Sequence, residues 1–150
     1  MHLARYLGRL QRSQRELADA YHAFRRRHPR EVDLCTVCER LAAQCGDHAV
    51  RLEPFIRRYA SGAPPDPLDR PAPDPTERSG TLGLLRDLHD LYLLAADCDL
   101  SWRIVGQAAQ GVRDAELLDL VRYCGEESAR HLLWLRSRIS EAAPQALVVA

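Results

Sequence analysis

Cysteine and histidine occupy positions on this chain where a helical core stripe is normally apolar. Cys38, Leu41, Cys45, His48, Leu52 and Phe55 recur at three- and four-residue steps. Leu117, Val121, Cys124, His131 and Leu135 share a second face. Such spacing sets each group on one side of a helix. Thiolates and imidazoles ligate zinc and copper, and the centre of a helical bundle is where such folds hold cofactors. The competing reading is core filling, because cysteine is among the most buried residue types. A histidine on such a stripe is then a core residue bonded to a carbonyl or an acid.

Two further constellations carry metal chemistry. Cys45, Cys98 and Cys124 fall at similar depth along their segments, with His48 and Gln14 near that level. His22, His89 and His131 fall at another common depth if the second and third helices are parallel, and three converging imidazoles would hold a metal. Cys35-Thr36-Val37-Cys38 has the C-x-x-C spacing. Alone it is weak: a zinc site needs a second pair, and a thioredoxin-like motif needs a preceding strand. There is no G-x-S-x-G, P-loop or Rossmann glycine pattern to support acyl transfer or nucleotide binding.

These residues need helices to position them, and the pattern predicts four. Helix 1 runs from about His2 to His28 on Leu3, Leu7, Leu10, Leu17, Tyr21 and Phe24, with Gln14 in the gap. His28 precedes Pro29 and so marks its end. Helix 2 runs from about Val32 to Tyr59, with a kink expected near Val50 from Pro54. Helix 3 spans about Thr81 to Gln110 and helix 4 about Arg113 to Ser140. Residues 61–80 read SGAPPDPLDRPAPDPTERSG. Six prolines there forbid helix and central strand and favour an extended course. Residues 141–150 form an apolar tail.

Loop lengths then select a topology. Short turns make helices 1–2 and 3–4 antiparallel hairpins. A connection of about 20 residues, extended at ~3.1 Å each, reaches roughly 60 Å. A 27-residue helix is only roughly 40 Å long. The connection can therefore run the length of the bundle and start helix 3 parallel to helix 2. The expected fold is all-α: a single domain, residues 1–150, forming a four-helix bundle with a long Pro-rich crossover between helices 2 and 3.

Two hairpins and one crossover make the chain similar to the ferritin-like superfamily, in particular the small bacterial proteins of the YciE or rubrerythrin-domain kind. The resemblance implies a ferritin-like bundle and a di-iron site built from one Glu on each of two helices and Glu-x-x-His on the other two. Carried over residue by residue, helix 1 supplies Glu16. Helix 2 supplies Cys45-Gly46-Asp47-His48, with Cys in the Glu position. Helix 3 has only Asp90 or Asp97. Helix 4 has Glu127-Ser128-Ala129-Arg130, with Arg in the His position. An arginine cannot ligate metal and is expected to pair with Glu127 or Glu16. The candidate metal residues are therefore Glu16, Cys45, His48, Glu127 and His131, as a remnant or Cys/His-substituted site for iron or zinc.

Composition narrows the classes. Charges balance, with 21 basic and 21 acidic residues, so no global field attracts nucleic acid or an anionic membrane. Every basic residue is arginine, which reads as codon bias in a GC-rich bacterial genome. Arg25, Arg26, Arg27 and Arg30 sit where cations complement a helix end. No apolar run approaches the ~20 residues of a membrane helix, and the start shows no signal-peptide pattern. Five cysteines are an odd number for a disulfide framework. A cytoplasmic protein with free thiols is expected. Leu91 to Ala96 and Leu132 to Leu135 are apolar nearly all round, beyond what one core uses. Homodimerisation through helices 3 and 4 is expected, or a protein partner on the same face. The functional expectation is a ferritin-like bundle without an intact di-iron site or cofactor, in a structural or interaction role. The alternative is a metal-binding or oxidoreductase protein.

Overall fold

The apolar periodicity closes into four long helices in a computed structural model, which describes residues 2–60, 62, 71 and 78–149. They are α1 (Leu3–Arg27), α2 (Val32–Arg58), α3 (Gly80–Gly111) and α4 (Ala115–Pro144), followed by a π-helical turn, Gln145–Val149. No strand occurs among the described residues, so the protein is an all-α four-helix bundle. Boundaries agree with the sequence periodicity to within two residues, except at the end of α4. There the helix continues to Pro144, and only Gln145–Val149 of the expected tail is wound into the π turn. Pro54 lies within an unbroken α2.

Side-chain contacts give the directions. Gln11 of α1 donates to the Ala49 carbonyl of α2 at 2.9 Å, and Arg25 pairs with Glu39 at 3.5 Å. Numbers rise along one helix as they fall along the other, so α1 and α2 are antiparallel. Arg9–Asp97 at 3.4 Å and Arg27–Asp87 at 3.3 Å make α1 and α3 antiparallel as well. It follows that α2 and α3 run the same way. Pairs 58–114, 48–127 and 44–131 set α4 antiparallel to α2. Around the bundle the order is α1, α2, α4, α3. The expected course of the Pro-rich connection along the bundle lies outside the described residues.

Two apolar clusters fill the interior, one at each end. One contains Leu17, Tyr21, Phe24, Leu41, Leu88, Leu91 and Leu135; the other contains Leu7, Leu10, Leu52, Trp102, Val105 and Leu117. Burying each leucine contributes ~1.5–3 kcal/mol. At Gly106 a Cβ would meet Val121 Cγ1 at 3.0 Å, so the missing side chain lets α3 and α4 approach closely. The α3–α4 turn places Arg113 in the left-handed region, at φ 57°. Asp114 then caps α4, accepting from Leu117 N at 3.0 Å. Arg58 donates twice to the same carboxylate, at 2.9 and 2.8 Å, and the Tyr59 hydroxyl also donates to it. These charge-assisted contacts, both from Arg58 Nη1, fasten the end of α2 to the start of α4.

Candidate functional site

Where the two apolar clusters meet, the interior turns polar. His48 and His131 project from α2 and α4 and are 1% and 2% exposed. Core spacing on each helix forces them inward, because Cys45 and Leu52 flank His48, and Cys124 and Leu135 flank His131, along the same buried stripes. His48 Nε2 donates to Glu127 Oε1 at 3.0 Å. His131 Nε2 donates to Gln44 Oε1 at 2.9 Å, and its Nδ1 accepts from the Tyr21 hydroxyl at 3.1 Å. One neutral tautomer of His131 thus satisfies both partners.

Electrostatics favour uncharged groups. Burial first, then His48 and Arg40, pushes His131 down to about 3. Burial also lowers His48, outweighing the opposing pull of Glu127. The thiols go the other way. Burial, with Cys98 and Glu127 nearby, raises Cys45 well above the ordinary thiol range. Burial pushes Cys38 and Cys124 up to about 12. Burial and the three thiols Cys45, Cys38 and Cys98 raise Tyr21. All five cysteines are free, and four of them are buried. A thiol must lose its proton to ligate metal or attack a carbon, and this interior opposes that loss.

No family model matches the chain, and no curated protein or solved structure matches it.

The predicted site residues separate. Cys45, His48, Glu127 and His131 share the α2–α4 side of the interior. Glu16 lies across the bundle, in a groove of about 600 Å³ between α1 and α3 that Asp19, Phe24, Asp87 and Leu94 also line. Arg130 is exposed, and Glu127 takes its bond from His48 instead of the expected arginine. The predicted meeting of His22, His89 and His131 does not occur: His22 and His89 are exposed, while His131 is buried. Among the described residues no three His, Cys, Asp or Glu side chains converge in a way that could hold a metal ion. The donor set does not fit a di-iron centre.

Sequence reasoning missed Tyr21 and Gln44. A tyrosine on an apolar stripe was the available signal, because a buried phenol needs a partner. It also missed a second polar cluster. Asp87, 4% exposed, accepts from His28 Nε2 at 2.6 Å and faces Arg27 at 3.3 Å and Arg78 at 3.5 Å.

Cys45→Ala or Cys124→Ala is expected to cost about 1 kcal/mol, the range for a small cavity. Denaturant midpoints measure this. Loss of a bound metal or of an activity in either variant would contradict the space-filling role.

Proposed function

We propose that this protein is a ferritin-like bundle whose interior holds a hydrogen-bonded polar cluster in place of a di-iron site. It serves a structural or protein-interaction role and self-associates through α3 and α4. The observation that carries this reading is the internal pairing of the ligand candidates: Glu127 with His48, and His131 with Tyr21 and Gln44. Each lone pair or proton spent on a protein partner is withdrawn from a metal. Support for the ferritin-like class comes from helix directions, since two antiparallel hairpins with α2 and α3 running the same way call for one long crossover. Five free cysteines suit a cytoplasmic setting.

A metal-binding or oxidoreductase role is the second reading. Its specific support is His48 Nδ1, buried and without a hydrogen-bond partner among the described residues. One experiment separates the two. Protein purified without a histidine tag is analysed for metals and then mixed aerobically with ferrous iron. Substoichiometric iron and zinc, with no protein-dependent iron oxidation, are expected. Two irons per chain, with oxidation lost in Glu127→Ala, would overturn the proposal.

A further inference from the structure

Two ring nitrogens in the interior have no hydrogen-bond partner among the described residues: His48 Nδ1 and Trp102 Nε1. The rings are neighbours. Their centroids lie 5.8 Å apart and their planes stand at 89°, so they meet edge to face. His48 comes from α2 and Trp102 from α3, and each residue is 1% exposed. Bulk solvent reaches neither ring. A buried donor or acceptor without a partner carries the full cost of its lost hydration, and native interiors hold few of them. Trp102 is otherwise packed in the cluster of Leu7, Leu10, Leu52 and Leu117, whose side chains offer no hydrogen bond.

The two nitrogens have complementary needs. His48 Nε2 lies 3.0 Å from Glu127 Oε1. An ionised carboxylate only accepts, so the imidazole proton sits on Nε2 and Nδ1 keeps its lone pair. An indole N–H only donates. The space between them therefore calls for one group that accepts from Trp102 and donates to His48. A metal cation would satisfy the lone pair but face the indole N–H with like polarity. An anion would satisfy the N–H but face the lone pair. A neutral molecule with both functions suits both sides, and water is the smallest. Joining two nitrogens by bonds of about 2.9 Å, a water holds them roughly 4.5–5.5 Å apart. Rings with centroids 5.8 Å apart accommodate that span.

We infer that one internal water is a built-in part of this core, accepting from Trp102 Nε1–H and donating to His48 Nδ1. The inference rests on the reading of the interior as a hydrogen-bonded polar cluster and extends that cluster to α3. Glu127, His48, the water and Trp102 then form one chain of bonds across α4, α2 and α3. Two polar partners are enough to hold a buried water. The water also occupies the lone pair on which a metal-binding reading depends.

Nuclear magnetic resonance on the isotope-labelled full chain tests the inference. The Trp102 indole proton, told apart from that of Trp134 by Trp134→Phe, should show a rotating-frame Overhauser peak to water. Its sign should be opposite to that of chemical exchange. His48 should carry its proton on Nε2, with the Nδ1 resonance at the position of a hydrogen-bonded acceptor. One equivalent of zinc should move neither signal. A scalar coupling between the two nitrogens would show that they bond directly and would overturn the water. A proton on His48 Nδ1, or no Overhauser contact between Trp102 and water, would overturn it as well. Each of these three results leaves the polar-cluster reading standing. Displacement of the His48 Nδ1 resonance by zinc, with loss of the water contact, would overturn the inference and that reading together.

Discussion

Asp87→Ala is expected to destabilise the bundle by about 3–5 kcal/mol, the range for removing one partner of a buried ion pair. Asp87 is 4% exposed and receives His28, itself 6% exposed, at 2.6 Å. Arg27 and Arg78 reach the same carboxylate at 3.3 and 3.5 Å. These groups come from the end of α1, the residues just before α3, and α3 itself. Removing the carboxylate therefore loosens three segments at once and leaves a buried imidazole N–H without its acceptor. Asp47→Ala is the control. The Asp47–Arg51 pair has a similar distance, 2.8 Å, but its side chains are 42% and 49% exposed. Its loss should cost less than about 1 kcal/mol, because water screens it and replaces the contact. Denaturant unfolding followed by circular dichroism measures both. Equal losses in the two variants would show that burial of the Asp87 cluster carries no special weight.

Acidification is expected to unfold the protein through its interior histidines, and His131→Gln is expected to weaken that dependence. Unfolded, His131 takes up a proton near the ordinary value of about 6.5. Folded, it resists until about 3, because it is buried and faces His48 and Arg40. Between those values the unfolded chain binds the extra proton, so stability rises with pH. The contribution is complete above about 6.5 and is lost as pH falls towards 3. Within the window each pH unit shifts the folded-to-unfolded ratio by roughly tenfold for one fully shifted group. His48 is lowered in the same direction by burial. Most carboxylates titrate below the upper half of this window, so unfolding free energies at pH 6.5 and 5.5 isolate the histidines. Glutamine at 131 does not titrate, and its slope should be shallower by up to one proton. Matching slopes in the parent and the variant would refute the assignment to His131.

Glu127 and Arg130 show why the candidate site was only partly legible in the sequence. They are three residues apart and so differ by roughly 60° around α4. Periodicity at that resolution admits both to an inward face. In the folded bundle α4 turns Glu127 and His131, one turn apart, towards α2 and leaves Arg130 in solvent. Glu16 fails for the same reason. It lies about 100° from the buried Leu17, and the packing of α1 against α3 draws it into the outer groove.

The sequence by itself determined the elements. Leu3, Leu7, Leu10, Leu17, Tyr21 and Phe24 specify the buried face of α1, and each is buried in the bundle. The burial of Cys38, Cys45, His48, Cys124 and His131 was legible too, because the helical repeat that carries it is local and spans only a few residues. Tertiary structure decided which buried groups meet. His48 finds Glu127 across 79 residues, and His131 finds Tyr21 across 110. Those pairings depend on the rotation of each helix about its axis and on the register between helices. Both are set by how whole apolar faces interlock and by end contacts such as Arg58 on Asp114. No local pattern encodes these quantities, because they are properties of two packed surfaces.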